Sequence, residues 1–183
     1  MKRIIALVLS LAMLLACTAA LAETEKESMG ILKVGKAFDI RYSPLPDDYK
    51  LSIYQQNDMA IIANIKTSQN TLPQMGLIIA FNDEWADTER LNDVSEEDLQ
   101  AIKDSFLEEY EDLAFDMKET SLGTKLLTVT APSKLDAYVY TIYKGHEIEI
   151  HLVPGTEQSE LGEADMERVI AFLSDMEFVP VGE

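Results

Sequence analysis

The residues of this chain that are best suited to acid–base or metal chemistry lie together in one short segment, YKGHEIEIHLVP at positions 143–154. Both histidines of the chain are here, His146 and His151, with Glu147 and Glu149 between them. Imidazole and carboxylate groups bind zinc, and imidazole transfers protons near neutral pH. In the zinc motif H-E-x-x-H, a helix brings the two histidines to one face because they are four residues apart. Here they are five apart, so the secondary structure of the segment decides whether they can act together.

Apolar and polar residues alternate between positions 147 and 151, which is typical of a β-strand. Two residues five apart on a strand point to opposite faces of the sheet, so His146 and His151 cannot bind one ion. A three-residue loop at 143–145 would pair Ile142 with His146 and place the apolar side chains of both strands on one face. In that register His146 lies at the edge of the loop and His151 lies on the surface. We therefore predict no catalytic, cofactor-binding or metal-binding role for either histidine.

The acidic segment 82–98 invites a calcium-binding interpretation. It does not fit the EF-hand pattern, because Trp85 and Glu89 interrupt the ligand spacing and no glycine stands at the sixth position. We favour a solvated loop that leads into a helix, with calcium binding as the alternative. Trp85, the single tryptophan, is interpreted as a lid over a small core or, alternatively, as a contact for a partner.

The remaining composition excludes several classes of function. The chain has no phosphate-binding loop, dinucleotide motif or nucleophile elbow. Its formal net charge is −18, which becomes −20 when residues 1–22 and their two basic residues are removed. Such a chain repels nucleic acids and anionic lipid surfaces, so we expect no nucleic-acid partner. The single cysteine, Cys17, lies in the N-terminal segment, so the rest of the chain has no disulfide, thiolate nucleophile or cysteine ligand for zinc.

Residues 1–22 have the three parts of a secretory signal peptide. Two basic residues come first, an apolar stretch follows, and Ala20–Ala22 fits a cleavage site. We predict cleavage after Ala22 and secretion of a mature protein without a transmembrane segment. The alternative is lipidation at Cys17, because LLAC is similar to the lipobox of bacterial lipoproteins. The mature protein would then be anchored at the cell surface.

The hydrophobic pattern predicts a sheet-rich fold with two amphipathic helices. The first helix begins at Ser95 and carries an apolar stripe that continues to Leu113, and the second covers about 163–176. The strands that we predict are 38–42, 51–54, 59–66, 75–81, 115–120, 125–130, 135–143 and 146–153. The last four strands form an antiparallel meander. This order predicts a single α+β domain at 36–183, preceded by a disordered or extended lead at 23–35.

The order of elements resembles that of Mog1/PsbP/DcrB-like domains. FDIRYSPLPDDYKL, at positions 38–51, resembles the start of that family, in which a strand runs through a short proline-containing turn to a second strand. The meander with YKGHEIEIHLV and the closing segment ADMERVIAFLSDMEF also match the family's order, so the resemblance covers most of 36–180. It implies an α/β/α sandwich around a mostly antiparallel sheet. The family includes exported lipoproteins of bacteria and auxiliary proteins, and it has no shared catalytic site to carry over.

We therefore expect an exported bacterial protein without a catalytic site or cofactor. It would act as a binding or accessory module at the cell envelope or outside the cell, with an unknown protein or small molecule as its partner. The alternative is a small hydrolase that uses two carboxylates on an extracellular polymer. The chain contains 33 acidic residues, so the sequence alone does not identify such a pair.

Overall fold

The structure, a computed structural model, describes residues 30–57, 59–108 and 110–181. The predicted signal peptide, Cys17 and positions 23–29 of the predicted lead lie outside these residues. Within them the chain forms ten strands and two α-helices, so the predicted α+β class is confirmed. The strands are β1 (Gly30–Val34), β2 (Phe38–Tyr42), β3 (Lys50–Gln56), β4 (Ala60–Lys66), β5 (Gln74–Phe81), β6 (Ala114–Glu119), β7 (Lys125–Thr130), β8 (Ala137–Tyr143), β9 (His146–Val153) and β10 (Glu177–Pro180). The helices are α1 (Glu96–Leu107) and α2 (Glu163–Ser174), and short 3-10 turns lie at Asp83–Trp85 and Leu91–Asp93.

Seven strands form one antiparallel sheet in the order β3-β4-β5-β9-β8-β7-β6. Its second half is the predicted meander of β6, β7, β8 and β9. The other three strands form a second sheet, in which β2 lies between β1 and β10. Strands β1 and β10 were not predicted. Leu32 and Val34 of β1 are buried, so the folded domain begins before position 36.

Helix α1 begins where the sequence predicts, because Ser95 caps it. The Ser95 hydroxyl oxygen accepts a hydrogen bond from the backbone N–H of Asp98 (3.1 Å), and acidic residues fill the first turn, at the positive end of the helix dipole. The helix ends at Leu107, earlier than the apolar stripe indicates. Tyr110 and Leu113 continue the stripe outside the helix because the following chain stays against the same core.

The buried side chains form two clusters on opposite faces of the seven-stranded sheet. Ala137 and Val139 of β8 belong to a cluster with α2 and the three-stranded sheet. Tyr138 and Tyr140, the alternate residues of the same strand, belong to a cluster with α1. Because successive side chains of a strand point to opposite faces, the two helices pack on opposite sides of this sheet. Each helix has 12 residues, and neither is long and apolar enough to cross a membrane.

The hairpin between β8 and β9 has a different register from the one predicted. Its loop contains two residues, Lys144 and Gly145, with φ angles of 46° and 74°, which are typical of a type I′ turn. Tyr143 therefore pairs with His146, and each later pair is shifted accordingly. The predicted three-residue loop is wrong. That prediction assumed that one face of the hairpin meets solvent, whereas side chains from both faces of β8 are buried.

Candidate functional site

A cleft of about 380 Å³ opens between helix α2 and the loop that joins β2 to β3. The loop contributes residues 43–47 to one wall, and α2 contributes the other wall from Ala164 to Asp175. The two segments are more than one hundred positions apart in the sequence. The cleft therefore exists only because β2 and α2 pack in the same core cluster.

The loop wall has a fixed shape for local reasons. Pro44 and Pro46 cannot donate to a sheet ladder, so β2 ends before them. Asp47 and Asp48 both have positive φ angles, 55° and 58°, a conformation that aspartate tolerates better than most residues. The Asp47 carbonyl oxygen accepts hydrogen bonds from the Thr67 hydroxyl (2.7 Å) and from the Gln69 side-chain amide (3.1 Å). These bonds hold the turn against the connection between β4 and β5.

An ion pair connects the two walls. The Nε–H of Arg168 on α2 donates to Oδ2 of Asp47 (2.9 Å), and its Nη1 lies 3.6 Å from Oδ1 of Asp165. Asp165 is itself buried, and its Oδ2 accepts hydrogen bonds from the Gln158 side chain (2.6 Å) and the Gly162 N–H (2.8 Å). The Asp165 carboxylate therefore helps to cap the N-terminus of α2 and also faces the Arg168 guanidinium.

The lining of the cleft combines an apolar floor with an acidic rim. Phe172 is buried and Tyr42 and Leu45 are half-buried, and burial raises the pKa of the Tyr42 hydroxyl above its usual 10.0. Tyr49, directly after the loop, donates its hydroxyl hydrogen to the Pro73 carbonyl (2.7 Å). Burial raises the pKa of Tyr49 to about 12, although the nearby Arg168 charge acts to lower it. The side chains beneath the loop and α2 are therefore largely shielded from water.

Three carboxylates lie on the rim: Asp47, Glu167 and Asp175. Among the residues that line the cleft the single basic one is Arg168, whose charge is already shared between Asp47 and Asp165. Lys118 of β6, which does not line the cleft, also interacts electrostatically with Glu167. Neither histidine lines the cleft. An apolar floor under an excess of negative charge is suited to binding a ligand that carries positive charge.

The structure places the two histidines on opposite faces of the sheet, as predicted, but both are buried. The His146 ring meets the edges of Phe38 and Phe81 at centroid distances of 5.1 and 5.3 Å, and its Nδ1–H donates to the Lys144 carbonyl (2.8 Å). Burial lowers the pKa of His146, against the opposing effect of that hydrogen bond. His146 directly follows the Lys144–Gly145 loop, as a loop-edge residue would, but only 6% of its surface is exposed.

His151 lies within the sheet rather than on the predicted surface, since 1% of it is exposed. Its ring stacks on Tyr138 with 4.5 Å between centroids, and its Nε2 is 2.9 Å from Oδ1 of Asp136. The Tyr138 hydroxyl donates to that of Tyr110 (2.9 Å), beyond the end of α1. The polar face of β9 is thus covered by its own domain, which the alternation of polar and apolar residues did not reveal.

Glu147 is the centre of a hydrogen-bond network on this covered face. Its Oε1 accepts hydrogen bonds from Tyr140 Oη (2.9 Å), Trp85 Nε1 (3.0 Å) and Asn82 Nδ2 (3.1 Å). Trp85 is 7% exposed and packs in the α1 cluster, so it covers part of the core and offers a partner little of its ring. Glu147 therefore holds the acidic loop onto the sheet.

Another residue of the acidic segment 82–98 also holds this loop against the sheet. Asn92 donates to the Gly123 carbonyl (2.9 Å) and accepts from the Lys125 N–H (2.9 Å), which ties the loop to the β6–β7 hairpin. Among residues 30–57, 59–108 and 110–181, no three His, Cys, Asp or Glu side chains are grouped so that they could hold a metal ion. Calcium binding by the segment 82–98 stays a prediction.

The residues of the cleft were missed by the sequence analysis, although the signal was partly visible. The stretch Pro44–Asp48 with its two prolines and two acidic residues stood out, but nothing in the sequence indicated that Arg168 would meet it.

No known family model matches this chain, and no curated protein matches it. The candidate site therefore rests on its geometry.

Proposed function

We propose that this chain is an exported binding or accessory module without a catalytic site, and that the cleft between α2 and the loop at 43–47 receives its ligand. The observation that carries the proposal is the lining of the cleft, in which an apolar floor of Tyr42, Leu45 and Phe172 lies beneath an acidic rim. Binding sites combine apolar walls with a few placed polar groups in this manner. Of the residues with obvious catalytic potential, His146 and His151 are buried, and the half-buried Glu147 carboxylate already accepts three hydrogen bonds.

Export and the finer fold are part of the same proposal. The two helices on opposite faces of the large sheet support an α/β/α sandwich similar to Mog1/PsbP/DcrB-like domains. Cleavage after Ala22 would release the domain, whereas lipidation at Cys17 would anchor it. The intact mass of the protein purified from its host is expected to correspond to an N-terminus at Glu23. A lipid-modified Cys17 would show that the protein is anchored.

Filling the cleft tests the proposal. Ala171 is exposed on α2 and lines the cleft, so Ala171→Trp is expected to occupy the space without disturbing the core. Ala101, exposed on α1 on the other side of the sheet, provides a matched control as Ala101→Trp. Screening of a fragment and peptide library by protein-observed NMR is expected to find ligands whose binding is lost in Ala171→Trp and kept in Ala101→Trp. Ligands that bind both variants equally would place the binding site elsewhere.

A hydrolase is the second candidate, because three carboxylates line one concave site. Glycoside hydrolysis requires two carboxyl groups separated by about 5–10 Å. Turnover of an extracellular polysaccharide, abolished by both Asp47→Asn and Glu167→Gln with the fold retained, would favour this candidate. Absence of turnover over a broad panel of polymers would favour the binding module.

A further inference from the structure

The charge of the cleft indicates which class of ligand it selects. Of its charged lining residues, Asp47, Glu167 and Asp175 are acidic and only Arg168 is basic. Arg168 is not available to an anion, because its guanidinium already contacts Asp47 at 2.9 Å and lies near Asp165 at 3.6 Å. An anionic ligand would have to displace Asp47 and approach a chain whose formal net charge is −18. A cationic ligand meets no such obstacle.

Helix α2 adds to the negative potential at one end of the cleft. Asp175 is the C-cap of α2, and no basic residue lies in the last turn. The carbonyl groups at a helix C-terminus carry partial negative charge, which makes an acidic residue there unfavourable for the isolated helix. An acidic side chain that lines a cleft at this position becomes favourable when a cation is bound beside it.

The spacing of the two carboxylates on α2 indicates the form of the ligand. Glu167, Ala171 and Asp175 follow each other at intervals of four residues, so they lie on neighbouring parts of one helix face. Eight residues of helix separate the two acidic side chains by about 12 Å. In an extended peptide, side chains four residues apart are on the same face and about 13 Å apart. Ala171, between the carboxylates, leaves room for the apolar part of such a peptide.

We propose that the cleft binds an extended polypeptide segment with two basic side chains four positions apart. Each cation would lie at one of the carboxylates of α2, and the intervening residues would pack on the apolar floor formed by Leu45 and Phe172. This inference rests on the proposed function of the cleft and specifies its ligand.

The test uses short fluorescein-labelled peptides and fluorescence anisotropy. The probe carries two lysines four positions apart in a background of valine, serine and threonine. A second peptide has the same composition with the lysines three positions apart, which moves one cation to the other face of an extended chain. A third has glutamate in place of both lysines. The first peptide is expected to bind at least about fivefold more tightly than the second, and the third is expected not to bind.

The matched protein variants separate a specific site from general attraction to an acidic protein. The double variant Glu167→Gln with Asp175→Asn is expected to lose at least about fivefold in affinity. The control, Glu97→Gln with Glu108→Gln, removes two exposed charges from α1, including the acidic C-cap of that helix, and is expected to retain binding. If the double variant melts at a lower temperature, the single variants Glu167→Gln and Asp175→Asn are compared with the control instead.

Three outcomes would overturn the inference. Equal loss of binding in both double variants would show that the attraction is general. Binding of the glutamate peptide that is lost in Ala171→Trp would leave the cleft as a ligand site and reject the cationic ligand. Absence of any peptide binding that depends on Ala171 would reject the inference and count against the proposed function as well.

Discussion

Replacement of Glu147 by alanine tests whether the network on the covered face of β9 stabilises the domain. The substitution removes the acceptor of three hydrogen bonds, from Asn82, Trp85 and Tyr140. The donors of Trp85 and Tyr140 belong to residues that are 7% and 4% exposed. Each buried donor that is left without an acceptor costs about 1–3 kcal/mol, whereas half-buried Asn82 can bond to water. The free energy of unfolding is therefore expected to fall by about 2–6 kcal/mol, out of a typical total of about 5–15 kcal/mol.

The measurement is urea denaturation followed by circular dichroism and by fluorescence. Trp85 is the single tryptophan of the chain, so its emission also reports whether the indole has become exposed to water. Glu147→Gln keeps an oxygen acceptor at the same position and is expected to cost only about 1 kcal/mol. Glu89→Ala removes an exposed acidic residue from the same loop and is expected to change the free energy by less than about 0.5 kcal/mol. A loss in Glu147→Ala as small as that of Glu89→Ala would refute the structural role of Glu147.

Two further predictions concern the β8–β9 hairpin and the strand beside it. Gly145→Ala is expected to destabilise the domain by about 1–3 kcal/mol, because φ is +74° and the added methyl group would lie 3.1–3.3 Å from Phe81, Ala86 and Trp85. At Gly76 the added methyl group meets open space, so Gly76→Ala is expected to be neutral or stabilising. Thermal melting of both variants checks this, and equal melting temperatures would contradict it. Burial lowers the pKa of His146 below its usual 6.5 in the folded protein. As the pH falls, the unfolded chain therefore takes up a proton at this residue before the folded protein does. The stabilisation by neutral His146 is full above about pH 6.5 and is lost as the pH falls toward the folded-state pKa. His146→Gln is expected to flatten the dependence of the unfolding free energy on pH between about 7.5 and 5.5, as measured by urea denaturation, and an unchanged slope would contradict the reasoning.

The strands and helices were largely predictable because their signals are local. Strands β2, β7 and β9 have the predicted bounds, since period-two alternation and turn residues mark both ends of each. Strands β1 and β10 have only five and four residues. Strand β10 pairs with β2 across more than one hundred positions, and such pairing leaves no mark in a single sequence. Strand β1 is joined to β2 by residues 35–37 alone, and it was missed because its five residues show no clear alternation of polar and apolar types.

The candidate site was not predictable for the same physical reason. Its two walls, the loop before Tyr49 and helix α2, are joined by the ion pair of Asp47 with Arg168 across 121 positions. The alternation in β9 identified its two faces correctly, but it could not show that Glu147 and His151 would be covered. Polar residues on a strand predict a solvent-facing side, and only the packing of Trp85 and Tyr138 reverses that prediction.

The three-stranded sheet determines how the domain responds to mechanical force. Strands β1 and β10 both run antiparallel to β2 and lie on either side of it, so Gly30 pairs with Tyr42 at one end of β2 and Pro180 pairs with Phe38 at the other. Tension applied between residues 30 and 181 would pull β1 and β10 in opposite directions along β2. The hydrogen bonds of both ladders lie perpendicular to that pull, so they would be loaded together in shear rather than opened one after another. A domain held in this way resists stretching better than one whose outer strands peel apart.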